Sequence, residues 1–502
     1  MTEKDLVYLV NTGNDPGMSS IANDNSFPAL GILALGTWLE MYLPEIQLIV
    51  RDGGVIGNET IIDEISRLRP YIVGISVLST SYQASLKIAR AAKEAGAFTV
   101  FGNDQAAQLS HKILRNRPCV DFIVGSEYGE RPFELLIRAL RGESISLAEI
   151  PDLTYRDAHG IKGFDYEVDK AKLSITSSVA YKMPFRKKAL DIFPLVNRKL
   201  YSENHWEIYL KNYTNRFGKL HRQKITGVTT MNRARGCSRS QEKIKCKHCD
   251  MLLDISFSSP EVFWHEVQHA HEQINANVFY EVCDSFSSFP SLIRDIVMAR
   301  PKNLEFSPEF FIYAQALDLV KSSSLIENLK EMGVSRVFIG LESGSDRPLK
   351  HMKGNQDSIQ VNYEALRLLK KHGIHVYGSF VLGTDAETRA SLAETVLWVK
   401  RIIDEELICD VEAQPILPLP YNYYGKKLAL SNALTAEESD SDWPWDVDAI
   451  AKRYIDKFSG VSYTEAVETA YTIRDYAESS GLNFGSAFGS EAGRMDKISK
   501  DK

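Results

Sequence analysis

Asn232-Arg-Ala-Arg-Gly-Cys-Ser-Arg-Ser-Gln-Glu-Lys-Ile-Lys-Cys-Lys-His-Cys-Asp250 puts three cysteines, Cys237, Cys246 and Cys249, into one short polar stretch. Only two residues separate Cys246 from Cys249, so both thiolates can reach the same metal centre. Cys237 lies upstream, with eight residues between. Three thiolates are one short of a closed tetrahedral zinc or iron–sulfur site. A cluster held this way keeps one iron open, where a small molecule can bind and be activated. A Cys-x-x-Cys pair also serves as a redox dithiol or as half of a zinc knuckle. Zinc would need a fourth ligand, and His248 or a nearby aspartate offers one. On the local spacing alone, cluster and zinc both stand.

Two stretches downstream read as strand–loop units. The first is Val337-Phe-Ile-Gly-Leu-Glu-Ser-Gly-Ser-Asp346, followed by Met352-Lys-Gly354. The second is His375-Val-Tyr-Gly-Ser-Phe-Val-Leu-Gly383, ending in Thr384-Asp-Ala-Glu-Thr388. Each is a short β-rich run closed by glycine and small polar residues and followed by a helical pattern. With the cysteine loop, and in this order, they resemble the radical S-adenosylmethionine (SAM) superfamily from about Lys224 to Tyr424. Glu412-Ala-Gln-Pro-Ile-Leu-Pro-Leu-Pro420 resembles the sixth strand of that family's partial barrel. The family places three residues between its first two cysteines where this chain has eight, which reads as a loop insertion.

The resemblance implies that Cys237, Cys246 and Cys249 hold a 4Fe–4S cluster whose open iron chelates the amine and carboxylate of SAM. It implies reductive cleavage of SAM to a 5′-deoxyadenosyl radical, with a reductant such as flavodoxin or ferredoxin. His248 occupies the slot where the family often has an aromatic residue beside the adenine. Glu342 is expected on the ribose hydroxyls, Ser343 or Arg336 on the SAM carboxylate, and the strand-end glycines Gly340 and Gly383 against the cofactor. Asp284, after the run Val278-Phe-Tyr-Glu-Val282, points toward the same end and is the candidate contact to SAM or substrate. Cys283 reads as a small buried hydrophobe, and Cys119 and Cys409 as structural.

The first 140 residues alternate strand and helix signals. Leu6-Val-Tyr-Leu-Val10, Ile46-Gln-Leu-Ile-Val50, Ile72-Val-Gly-Ile-Ser76, Phe98-Thr-Val-Phe101 and Phe122-Ile-Val124 read as buried strands, and Leu30 to Met41 as a helix. Such alternation predicts a doubly wound parallel sheet that binds ligands at the carboxyl ends of its strands. The region resembles the cobalamin-binding domain that precedes many radical SAM barrels, through Phe27-Pro-Ala-Leu-Gly-Ile32, Gly74-Ile-Ser-Val and the loops at Ser79-Thr-Ser-Tyr82 and Gly125-Ser-Glu-Tyr-Gly-Glu130. Expected cobalamin contacts are Ser76, Ser79, Thr80, Gly102, Gly125 and Glu127. No Asp-x-His-x-x-Gly motif occurs, so no histidine is offered to cobalt. The family's frequent Gly-Gly at the fourth strand is Gly102-Asn103 here.

The expected architecture is α/β: a cobalamin-binding-like domain over 1–140, a linker over 141–223, a partial (β/α)6 radical SAM barrel over 224–424, and a helical cap with a mobile tail over 425–502. The linker shows few regular signals beyond a hairpin at Ile150 to Gly160, and Arg186-Lys-Lys188 reads as solvated surface. The expected reaction is methyl transfer to an unactivated centre of a small-molecule or peptide substrate in specialised metabolism. Transfer of the 3-amino-3-carboxypropyl group of SAM is the alternative that the cysteine gap keeps open. A cobalamin-dependent sensor would lack an output domain.

His265-Glu-Val-Gln-His269 matches a zinc metalloprotease helix, in which two histidines bind zinc and the glutamate acts as base. No third ligand follows, and the segment falls where the barrel's first helix belongs. The 502 residues carry 44% hydrophobic residues, enough for real cores, and a net charge of −7, which gives no electrostatic case for nucleic acid. No apolar run approaches the ~18 residues that span a membrane. The charged start Met1-Thr-Glu-Lys-Asp is not a signal peptide. Six cysteines, half of them in one loop, point to a reducing, cytoplasmic compartment.

Overall fold

The computed structural model describes residues 6–16, 25–125, 128–163, 189–239, 246–249, 255–420, 422–431, 433–435, 441–442 and 447–485. Glu127, the basic residues 186–188, Trp443 to Trp445 and the last 17 residues, 486–502, lie outside them.

The N-terminal sheet has seven strands: β1 Leu6–Asn11, β2 Gln47–Asp52, β3 Ile72–Ser76, β4 Phe98–Gly102, β5 Phe122–Val124, β6 Leu153–Asp157 and β7 Gly160–Lys162. They lie in the order β2-β1-β3-β4-β5-β6-β7. The first five are parallel, and the β6–β7 hairpin adds an antiparallel edge. Helices cover both faces, which is why β1 and β3 read as continuous apolar runs instead of alternating. This is the doubly wound sheet that the sequence predicts, and the hairpin is the one expected near Ala158.

The second sheet runs β8 Val228–Met231, β11 Val278–Glu281, β12 Glu309–Ala314, β13 Val334–Glu342, β14 His375–Leu382 and β15 Asp410–Pro415, all parallel, each beside the next. These are the six strands of the expected partial barrel. Between β8 and β11, β9 Ala234–Arg235 pairs antiparallel with β10 Ser256–Phe257. A short seventh parallel strand, β16 Asn483–Gly485, joins the β15 edge. Helices Val447–Phe458 and Tyr463–Ser479 precede it. The second opens on a capping box, Ser462 with Glu465, as Ser-Tyr-Thr-Glu predicts.

The segment expected to be an irregular linker contains a 15-residue helix, Glu203–Phe217. Its buried residues His205, Tyr209, Tyr213 and Phe217 recur every four positions, so one face is aromatic. That face docks the N-terminal sheet to the barrel. Phe27 enters the same contact, with its ring 5.0 Å from Tyr213 and 5.3 Å from Tyr280. One apolar core therefore runs from Val7, Leu9 and Val100 through Tyr209 and Tyr213 to Tyr280, Phe311 and Tyr377.

A second tie is ionic. Asp442 accepts hydrogen bonds from the buried Tyr82 hydroxyl and from Arg117 at 2.7 and 3.0 Å. The C-terminal region expected as a barrel cap thus also grips the N-terminal domain. No helix among the described residues is long and apolar enough to cross a membrane.

Candidate active site

The site lies where the strands of both sheets end. Asp284 follows β11, Gln315 follows β12 and Glu342 closes β13. The cysteine loop crosses above them. Gly236 takes a positive φ of 94°, and its N–H donates to Asp284 Oδ2 at 3.0 Å. This turn delivers Cys237, whose sulfur accepts from the Gln315 amide at 3.2 Å and from the Arg239 N–H at 3.4 Å.

Arg239, inside the eight-residue gap, makes a bidentate pair with Asp357 at 2.7 and 3.0 Å and donates to the Lys353 carbonyl at 2.8 Å. Its guanidinium also hydrogen-bonds Cys246. The start of the gap is therefore fastened to the barrel. The Cys-x-x-Cys end is pinned by backbone: Lys247 N–H to the Met352 carbonyl, Tyr423 N–H to the Lys247 carbonyl, and the Asn422 side chain to the His248 carbonyl.

All three cysteines are free and partly buried. Burial pushes the Cys237 and Cys246 thiols up, while Lys353 and Arg239 pull Cys246 back toward the thiolate. Among the described residues no three His, Cys, Asp or Glu side chains converge on one ion. A 4Fe–4S cubane gives each thiolate its own iron, so its donors need not converge. Three unbridged sulfurs on one braced loop, with cations at hand, fit that cluster.

Beside them Glu342 sits in the left-handed region, at φ 62°, after a bulge in β13. Its carboxylate is 3.1 Å from Lys353 Nζ and 3.5 Å from His248 Nε2. Burial raises the Glu342 carboxyl, but His248 and Lys353 more than offset it and hold it below its ordinary value. Burial lowers the His248 imidazole, and its Nδ1 has no partner among the described residues. Gly340 leaves room for this pair: a Cβ there would stand 2.2 Å from the Glu342 carboxylate, which would have to move. His248, Glu342 and Gly340 are thus brought together as the sequence proposes. Lys353 is the member that sequence reading left without a role.

Other expected residues fall elsewhere. Arg336 lies near the start of the strand that Glu342 ends. A separation of six residues along a strand is about 20 Å, too far to share a ligand's carboxylate with that end. Its buried guanidinium lies over Phe217 at 3.8 Å and Phe311 at 4.1 Å instead. The Ser343 hydroxyl is fully buried against Thr395 at 3.2 Å, and Gly383 packs under Ile455 of the C-terminal helices. Cys283 is buried, and desolvation drives its thiol far up, as suits a core residue.

The His-Glu-x-x-His segment is a packing element. Glu266 is buried between Arg198 at 2.7 Å and Arg233 at 2.5 Å, while His265 on the same helix is exposed. The glutamate braces the start of the cysteine loop and is not a base facing a metal.

A cavity of about 400 Å³ opens between the two sheets. Ser76, Gly102 and Asn103 line one side, at the ends of β3 and β4. Asn232, Arg235 and Asp284, next to the cysteine loop, line the other. No atom lies within 4 Å of where a Cβ would stand on Gly31 or Gly102, so these walls are open. Asn103 has a φ of 81°, a conformation Asn tolerates, which explains its place where the family favours glycine. Ser79, Thr80 and Gly125 are not part of the lining: Ser79 and Thr80 form a 3₁₀ turn whose Thr80 carbonyl accepts from Asp15. None of the chain's eleven histidines lines the cavity.

Residues 231–399 match the family described as the Radical SAM superfamily. That stretch is a radical SAM domain, which implies a 4Fe–4S cluster and SAM. An uncharacterized methyltransferase of Pyrococcus horikoshii is 24% identical over 353 residues, covering 67% of this chain and 66% of the relative. An anaerobic magnesium-protoporphyrin IX monomethyl ester cyclase of Rubrivivax gelatinosus is 22% identical over 355 residues, 68% of this chain and 56% of its own. The chain thus spans between half and two thirds of the curated relatives it matches.

Among solved structures, TsrM of Kitasatospora setae, a radical SAM methyltransferase with cobalamin and a 4Fe–4S cluster bound, superposes with a TM-score of 0.63 at 15% identity, over 93% of this chain and 91% of TsrM. OxsB, a cobalamin-dependent SAM radical enzyme, gives a TM-score of 0.58 at 21% identity, over 88% and 57%. These are likenesses of fold.

Proposed function

We propose that the chain is a cobalamin-dependent radical SAM methyltransferase acting on a small-molecule or peptide substrate, with a flavodoxin or ferredoxin as reductant. One observation carries the reading: the cavity at the strand ends of the doubly wound sheet shares Asp284 with the turn that delivers Cys237. A ligand on the N-terminal sheet would therefore face the cysteine loop directly. Cys237, Cys246 and Cys249 would hold the cluster, and Ser76, Gly102 and Asn103 would lie against cobalamin. Bound there, the two groups supply one-electron chemistry and methyl-carrier chemistry respectively.

The chain's own residues bind and orient. Glu342, kept ionised by Lys353, accepts from the SAM ribose hydroxyls. Its bulge and positive φ aim the carboxylate along the loop that carries His248, whose ring lies beside the adenine. Asp284 fixes the Gly236 turn and with it the position of Cys237. No histidine is in the lining, so the residues that would hold cobalamin there would offer its metal no imidazole.

Anaerobic reconstitution with iron, sulfide and hydroxocobalamin tests this. The expected result is a cluster absorption band plus bound cobalamin, and a Co(II) paramagnetic resonance spectrum without nitrogen superhyperfine splitting from the protein. Cluster without cobalamin would reduce the assignment to a radical SAM enzyme with an empty sheet. An axial nitrogen signal from the protein would overturn the histidine-free reading.

A further inference from the structure

Glu130 and Glu134 stand one turn apart on the helix Glu130–Leu140, and both are buried. Glu134 is fully satisfied: Trp38 Nε1 donates to it at 2.9 Å, Arg131 at 2.6 Å and Arg138 at 2.9 Å. Glu130, 8% exposed, has a carboxyl oxygen with no partner among the described residues. A buried polar atom left unpaired costs about 1–3 kcal/mol. Such atoms are rare and usually wait for something the bare chain lacks. Glu130 lines the interdomain cavity together with Gly102 and Arg235.

We propose that Glu130 contacts the cobalamin bound in this cavity, through a hydrogen bond to a primary amide on the corrin edge. The inference rests on the cobalamin reading above. The edge of that ring system carries neutral amides, each with a carbonyl acceptor and an N–H donor. A protonated carboxyl offers the matching donor and acceptor at once, whereas a carboxylate only accepts. Burial raises the Glu130 carboxyl toward the protonated form, with Arg235 opposing. The open walls at Gly31 and Gly102 let a flat ring edge approach.

Titration of the full-length, cluster-loaded chain with hydroxocobalamin, followed by absorbance, decides the matter. Glu130→Ala should weaken binding at least about tenfold, equivalent to about 1.4 kcal/mol. Glu130→Gln, an amide of the same shape, should stay within about threefold of the parent. Iron content should be unchanged in both. In the unloaded protein Glu130→Ala should not lower Tm, because it removes an unsatisfied group. A parent chain that binds no cobalamin overturns the functional reading and this inference with it. A parent that binds, with Glu130→Ala binding equally, overturns this inference alone. A fall in the Tm of unloaded Glu130→Ala marks a structural role and also overturns it.

Discussion

The two halves of the site differ in how their charges are settled. On the barrel side the charged groups Glu342, Lys353, Arg239 and Asp357, with Cys246, already answer one another within one braced network, though His248 Nδ1 has no partner among the described residues. On the sheet side the cavity keeps Glu130 without a partner and leaves open space at Gly31 and Gly102. The first arrangement suits charged ligands, since its groups are held in place and in the right ionisation state beforehand. The second suits a large neutral ligand, which supplies partners instead of competing with them. The contrast teaches that paired charge and an open wall are two forms of preparation, and that they can sit on either side of one aspartate.

Breaking the barrel side should have the largest effect. Cys249→Ala leaves two thiolates, which cannot hold the cluster, so iron should fall from about four per chain to near none. Metal analysis of anaerobically prepared protein checks this. Stoichiometric zinc in the parent, with no iron–sulfur band after reconstitution, would defeat the assignment. Cys283→Ala should leave iron intact.

Glu342→Ala comes next. Hydrogen bonds from hydroxyls to a charged carboxylate contribute about 1.5–3 kcal/mol, so SAM affinity should fall at least about tenfold while iron stays bound. Equilibrium binding measures it, and unchanged affinity would show that this strand end does not hold SAM.

A smaller effect sharpens the electrostatic side. Burial pushes the carboxyl of Glu387, after β14, up to about 7, and that of Glu281, in β11, up to about 8. Both lie above the ordinary 4.5, so the folded chain holds protons that the unfolded chain releases. Stability is therefore lost as pH rises from about 5 to 8. Glu387→Gln should remove its share, on the order of 1–3 kcal/mol, and bring the Tm values at pH 5 and pH 8 closer together. An unaltered difference between those Tm values would sink the claim.

The smallest effect is expected on the cavity wall. Asn103→Ala forces a residue with Cβ and no local hydrogen bond into a φ of 81°, at about 1–2 kcal/mol. Asn103→Gly should spare that strain, and denaturant midpoints separate the two. Equal midpoints would mean the backbone there relaxes.

The fold was legible because its strands are buried runs of ordinary length separated by helical periods. The places of His248 and Glu342 beside the cysteine loop, and of Ser76 and Gly102 on the cavity, were legible from the cysteine spacing and the strand ends. Arg336 was misplaced because linear proximity to Glu342 hides strand length: six extended residues cross the barrel from floor to mouth. Lys353 and Gln315 were missed because each reaches the site from a different strand–helix junction, and no local spacing joins them to the cysteines. The helix Glu203–Phe217 did carry a signal in its fourfold aromatic spacing. Glu130 lay in the loop Gly125 to Glu130 that carries the cobalamin-domain resemblance, but its lack of a partner is a property of the packed interior alone.

The Asp442 tie has a consequence for how the molecule is made. Arg117 is synthesised before its carboxylate partner, which lies 325 residues later in the chain. Until that aspartate is synthesised, Tyr82 and Arg117 lack the group that seals them. The N-terminal sheet thus stays unlatched while those 325 residues are made, and a later segment fastens an earlier one.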